Sequence, residues 1–271
     1  MRVLSLINQK GGCGKTTVAV NLAAALARKG QRVLLVDLDP QAHATLAMSC
    51  DGEAGLSLRD VLVSQKSVRR VIQRTRFGVD LLPAASNLAE FEETSARMLK
   101  PENTLRDALT AVAREYDWAL LDCPARADGV LSANALRASS VAILVVETGA
   151  FALQGAVRAR RIFESTARAQ GSRFDTRVLG TLFDRRTKCG RELLLAMHAR
   201  FGRDMFDTVI RESVKLRESA ARGTPIPFLA PRSGAADDFA SLAEELLVLR
   251  LVEGHDLSDA PVSKSRVRAP L

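Results

Sequence analysis

Residues 8–17 read Asn8-Gln9-Lys10-Gly11-Gly12-Cys13-Gly14-Lys15-Thr16-Thr17, and the rest of the chain is best read outward from them. The run Val3–Asn8 before the glycines has the composition of a short strand. Lys15–Lys29 after them has helical spacing and stops at Gly30, a residue suited to ending a helix. A strand, a glycine-rich turn and a helix in that order aim backbone N–H groups at a helix N-terminus, where the peptide dipoles already favour an anion. Gly11, Gly12 and Gly14 let the backbone turn its amides inward. Lys15 can then reach the β- and γ-phosphates of a nucleotide, and the Thr16 hydroxyl can ligate Mg²⁺. The usual phosphate-loop spacing would place glycine at position 9, where this chain has Gln9. It carries instead an additional lysine, Lys10, at the loop entrance. Lys10, Gly11, Gly12, Cys13, Gly14, Lys15, Thr16 and Thr17 are thus the candidate nucleotide-binding residues.

Beyond the loop, strand-like runs recur at Arg32–Asp37, Val79–Leu82, Trp118–Asp122, Val141–Glu147, Arg177–Phe183 and Met205–Ile210. Helical patterns lie at Asn87–Leu99, Asn103–Tyr116, Val130–Ala138, Ala152–Gln170, Arg191–Phe201 and Ala235–Leu251. Near-continuous apolar strands separated by helices predict an α/β chain with a mostly parallel twisted sheet and helices on both faces. No repeat or flexible linker divides it, so residues 1–252 are read as one domain and 253–271 as a polar, disordered tail. Asp37, Asp39 and Asp122 fall at or just beyond strand C-termini, where open α/β sheets bind their ligands.

The 271 residues are 47% hydrophobic and 26% charged, enough to bury a core. The longest apolar runs, Val18–Ala27 and Val141–Val146, fall short of the ~20 residues a membrane span needs. A strand pattern beginning at the first residues leads us to expect no secretory leader and a cytoplasmic address. Cysteines 13, 50, 123 and 189 make no C-x-x-C pair, which argues against a disulfide scaffold or a zinc ribbon. Positive charge is concentrated: residues 151–223 hold 16 basic and 8 acidic side chains, a surplus equal to the net charge of +8 for the whole chain. That surplus suggests a polyanionic partner, and solvated helix faces are the alternative reading.

Taken together, the motifs resemble those of the deviant Walker A ATPases, the ParA/MinD family of P-loop proteins. Arg32–Thr45 (R-V-L-L-V-D-L-D-P-Q-A-H-A-T) is similar to the family's second motif, and Trp118–Pro124 (W-A-L-L-D-C-P) to its Walker B segment. Ser132–Leu136, Phe151–Gly155, Phe183–Thr187, Val214–Leu216 and Gly223–Ile226 follow in family order and favour the ParA branch. The resemblance implies ATP and Mg²⁺ as cofactors and slow ATP hydrolysis. It also implies a nucleotide-sandwich homodimer in which Lys10 contacts the phosphates held by the partner. By the same resemblance Lys10, Lys15 and Asp39 are catalytic, with Asp39 orienting or deprotonating the attacking water. Thr16, Asp37 and Asp122 surround the metal.

ParA relatives bind DNA without sequence preference and position a cargo with a ParB-like partner that stimulates hydrolysis. On that pattern this chain is expected to bind double-stranded DNA through Arg186, which matches a family arginine, and through Arg211, Lys215, Arg217 and Arg222. The family's Pro-Arg pair before the V-[RK]-L stretch is here Arg211-Glu212. Ala125 replaces the second proline of the switch after the Walker B aspartate. A nucleoid-associated location follows from the same expectation. The alternative is a MinD-like membrane-cycling ATPase. Those proteins end in a basic amphipathic helix, and 254–261 lack that periodicity, so stable membrane binding is not expected.

Overall fold

The computed structural model describes residues 1–49, 55–126, 128–149, 151–169, 174–184 and 186–249. The tail 253–271 and the domain's C-terminal boundary lie outside the described residues. Seven strands form one sheet: β1 (Arg2–Ile7), β2 (Val33–Asp37), β3 (Gln73–Arg74), β4 (Val79–Leu82), β5 (Trp118–Asp122), β6 (Val141–Glu147) and β7 (Asp175–Thr181). Their order is β3-β4-β2-β5-β1-β6-β7, and every pairing is parallel except β3 with β4. The helices are α1 (Lys15–Arg28), α2 (His43–Ala47), α3 (Leu58–Leu62), α4 (Val68–Val71), α5 (Glu90–Ser95), α6 (Thr104–Thr110), α7 (Val130–Ala138), α8 (Ala152–Ala169), α9 (Lys188–Phe201), α10 (Val214–Ala221), α11 (Ile226–Leu229) and α12 (Gly234–Val248).

The strands alternate strictly between two cores. Leu4, Leu6, Val33, Leu35, Leu120, Ile143 and Val145 pack against α1 and α12 on one face. Val3, Leu34, Val36, Leu121, Leu144 and Val146 pack on the other face against α6, α7 and α8. Because both faces are covered, every residue of β2 and β5 is buried, which is why these strands read as unbroken apolar runs. Polar side chains tie the layers where they must be buried. Asn21 of α1 donates to Thr17 O at 2.8 Å and accepts from Ile226 N at 2.6 Å, fixing the turn into α11. Asn134 of α7 accepts from Leu105 N at 2.9 Å, satisfying an orphan donor at the start of α6.

The expected strand Met205–Ile210 does not form. The segment runs beside β7 with single bridges, Val178 to Met205 and Phe183 to Arg211, and bonds from Phe206 N to Val178 O and Ile210 N to Gly180 O. Between them the Glu245 carboxylate of α12 accepts from Asp207 N at 2.8 Å and Thr208 N at 3.1 Å. A side chain thus takes donors that a ladder would have used. The pattern Asn87–Leu99 is likewise split into a 3₁₀ turn, Ser86–Ala89, and α5, while Asn103–Tyr116 supports only the short α6.

Candidate functional site

β1 ends at Ile7 and the chain turns through the glycine loop into α1, so the loop crosses the C-terminal edge of the sheet between β5 and β6. Gly12 and Gly14 adopt φ of +76° and +93°, conformations that a side chain resists. A Cβ at Gly11 or Gly12 would meet nothing within 4 Å, so the concavity above the loop is open. Two contacts from distant strands hold the loop in shape. The Thr181 hydroxyl at the end of β7 donates to Cys13 O at 2.7 Å, and Asn8 Nδ2 donates to Val145 O of β6 at 2.7 Å. Asn8 Oδ1 in turn accepts from Lys10 N at 3.0 Å. Cys13 is buried against the loop's own backbone, and burial raises its thiol pKa, so it is apolar filling rather than a nucleophile. Lys15 is buried and its ammonium spans the loop to Lys10 O at 3.4 Å.

The carboxylates gather beneath this loop. In the register of the sheet Asp122 stands opposite both Asp37 and Leu6, which places two acids side by side on adjacent strand ends. Asp122 is 1% exposed, and neither carboxylate oxygen has a hydrogen-bond partner. Burial, and then the charge of Asp37, push its pKa well above the ordinary carboxylate value. The Thr16 hydroxyl, short of full hydrogen-bond geometry, and the Lys15 ammonium pull the other way. Asp37 is also buried but well supported: it accepts from Thr45 N at 2.9 Å, Thr45 Oγ1 at 2.8 Å and Asp39 N at 3.1 Å. Burial still lifts it to about 6. Asp39 is half-buried at the mouth, and its Oδ1 accepts from Gln41 N at 2.9 Å, which fixes the turn through Pro40.

A magnesium ion suits this donor set. Mg²⁺ prefers few protein ligands, one or two carboxylates and a hydroxyl, completing its shell with water and phosphate oxygens. Two buried carboxylate oxygens left bare beside Thr16 are an incomplete coordination environment of that kind. No cluster of three or more His, Cys, Asp or Glu capable of holding a metal alone occurs among the described residues.

Lys10 faces outward, with 62% of its side chain exposed, and forms an ion pair with Glu147 at the end of β6. The structure therefore brings Lys10 through Thr17, Asp37, Asp39 and Asp122 to one sheet edge. Sequence reasoning missed four supporting residues. Thr45 closes the Arg32–Thr45 stretch, four residues after Gln41 of the Asp-Pro-Gln turn. Asn8 follows the last residue of β1 and Glu147 ends β6, each a polar residue closing an apolar run. Thr181, a threonine among strand residues, carries no signal of its own.

The residues expected to meet DNA lie farther along the chain, and most are already paired. Phe183 N bonds to Ile210 O and Glu212 N to Phe183 O, which sets the Arg186 turn beside the start of α10. Arg186 pairs with Asp184, Lys215 with Glu218 and Arg217 with Glu212, all at the surface. Arg222 is exposed at the end of α10. Arg211 differs. It grips the buried Asp238 of α12 through Nε at 2.7 Å and Nη2 at 2.6 Å, with its own backbone N–H adding a third bond. It braces the segment after β7 against α12.

A family model described as an AAA domain matches residues 1–173. The chain is 35% identical over 252 residues to the sporulation initiation inhibitor protein Soj of Bacillus subtilis, covering 90% of this chain and 98% of that one. It is 32% identical over 252 residues to the chromosome partitioning protein ParA of Caulobacter vibrioides, covering 91% and 94%. Among solved structures, cobyrinic acid a,c-diamide synthase from Mycobacterium smegmatis, with bound ATP analog and magnesium, matches with a TM-score of 0.76 and 29% identity, covering 91% of this chain and 94% of that chain. No helix among the described residues is long and apolar enough to cross a membrane.

Proposed function

The chain belongs to the AAA-domain family of ParA- and Soj-like partitioning ATPases, and from that premise we propose that it binds Mg·ATP at the glycine loop, hydrolyses it slowly and uses the nucleotide to gate a DNA-bound homodimer. The observation that carries this reading is the presence of two buried ionisable groups, Lys15 and the hydrogen-bond-free Asp122, beneath an open glycine loop. Leaving such charges uncompensated costs stability, and a phosphate–magnesium ligand is what completes them.

Phosphoryl transfer asks the protein for placement and charge rather than covalent chemistry. When bound, Mg²⁺ draws charge from the phosphate oxygens and fixes their orientation. The loop amides and Lys15 hold the β- and γ-phosphates. Asp122 and Thr16 hold the metal side of the site, with Asp37 kept in position by Thr45. Asp39 orients the attacking water and accepts its proton; its place at the mouth suits a group that must reach solvent.

Lys10 supplies the gate. Its exposed ammonium leaves Glu147 and meets the phosphates of a second copy, so the added charge of a γ-phosphate holds two protomers together and hydrolysis releases them. The basic surface of 151–223 then gives the dimer sequence-neutral, salt-dependent contacts with double-stranded DNA, with Arg186, Lys215, Arg217 and Arg222 as contributors. A ParB-like adaptor that accelerates hydrolysis would free the dimer from the nucleoid and move the cargo. The test is Mg²⁺-dependent ATPase activity with and without DNA. Lys15→Ala is expected to abolish ATP binding by calorimetry, and retained affinity would contradict the assignment of the loop.

A further inference from the structure

We propose that the groove between α8 and α9 is a docking surface for an acidic amphipathic helix of a partner protein. This goes beyond the nucleotide-gated reading and does not depend on it. α8 lays Ala156, Ala159, Phe163 and Ala167 onto the sheet. Its flank toward α9 leaves Leu153, Val157 and Ile162 half-covered, the floor of a groove of about 820 Å³. Leu153 and Val157 stand four residues apart, so the floor runs along the helix as a stripe.

Arg158, Arg161 and Arg200 rim that floor. None forms an ion pair with any described residue, and Arg200 only leans on the ring of its neighbour Phe201 at 5.8 Å. The contrast lies on the same helix: Arg160 is held by Glu164 at 2.7 Å and Asp204 at 2.9 Å. The fold thus supplies carboxylates for the arginine it uses internally and none for the three around the groove. DNA would satisfy the guanidinium groups but leave the apolar floor wet. A helix with apolar residues at i, i+3, i+4 and i+7 and carboxylates on both flanks satisfies floor and rim together.

The test measures fluorescence anisotropy of a labelled helical peptide, with leucines in that spacing and flanking glutamates, titrated with the full chain. A control peptide keeps the glutamates and replaces the leucines with glutamine. The proposal requires saturable binding of the first peptide and at least about tenfold weaker binding of the control. The Arg158→Glu/Arg161→Glu variant, whose changes are on exposed side chains, should melt as the parent does and lose at least about tenfold in peptide affinity. Arg158→Ala/Arg161→Ala serves as a second variant should the first not fold. Equal binding of both peptides, or of neither, overturns the proposal. So does a groove variant that instead weakens duplex DNA or anionic phosphatidylglycerol vesicles while leaving peptide affinity unchanged. A concentration-dependent dimer lost in the same variants would assign the groove to a second copy and overturn it too.

Discussion

The nucleotide cradle and the basic flank both carry strong charge, and they handle it in opposite ways. In the cradle, Asp122 and Lys15 are buried, and the oxygens of Asp122 have no partner. In the flank, Arg186, Lys215 and Arg217 are exposed and already paired with Asp184, Glu218 and Glu212. Buried unpaired charge is costly and therefore points to a ligand. Exposed paired charge costs little, contributes little to stability, and points to a ligand only weakly. The Asp184 carboxyl shows how local the flank's electrostatics are: hydrogen bonds from Arg186 hold it down to about 2, with no help from the rest of the fold. Any polyanion binding there must compete with such intramolecular partners.

The largest effect that could break this contrast is catalytic. Asp39→Ala should lower kcat of ATP hydrolysis by about 10²–10⁴-fold with ATP affinity retained, read by single-turnover hydrolysis alongside calorimetry. An unchanged rate would remove Asp39 from the chemistry. Next comes the odd arginine of the flank. Arg211→Ala strands the buried Asp238 and should cost about 2 kcal/mol by denaturant unfolding. Arg222→Ala, on an exposed side chain, should leave stability within about 0.5 kcal/mol and weaken DNA binding at low salt. If Arg211→Ala reduced DNA affinity at unchanged stability, the bracing role would be wrong.

The remaining test is a pH slope. Asp37 is raised in the folded state from 3.8 to about 6, so between those values the folded chain binds more protons than the unfolded one. That group's contribution to stability is present below pH 3.8 and is lost as pH climbs toward 6. The nucleotide-free Tm should therefore carry a component that falls across this window and is absent in Asp37→Asn.

What could be read from the sequence follows the same physical divide. The strands Val79–Leu82, Trp118–Asp122 and Val141–Glu147 and the helix Val130–Ala138 have the boundaries their patterns predict, because each answers to a buried face with a fixed period. The glycine loop was legible because turn geometry, amide direction and charge all demand the same few residue types in order. Met205–Ile210 misled because its alternation is that of a strand, whereas a carboxylate thirty-odd residues away takes its donors. Thr181 and Thr45 were invisible as site residues for a related reason. The Thr181 hydroxyl donates to a distant backbone carbonyl and the Thr45 hydroxyl to the Asp37 carboxylate, and a single threonine in a strand or short helix says nothing about what it will touch.

Lys10 is the residue on which a nucleotide-gated dimer depends most directly. Light scattering after size exclusion, on wild type and Lys10→Ala with Mg²⁺ and either ADP or a non-hydrolysable ATP analogue, reads it in one experiment. Wild type should be a dimer with the analogue and a monomer with ADP, and Lys10→Ala a monomer with both. Equal assembly across all four samples would contradict a nucleotide-gated dimer held by the lysine at the loop entrance.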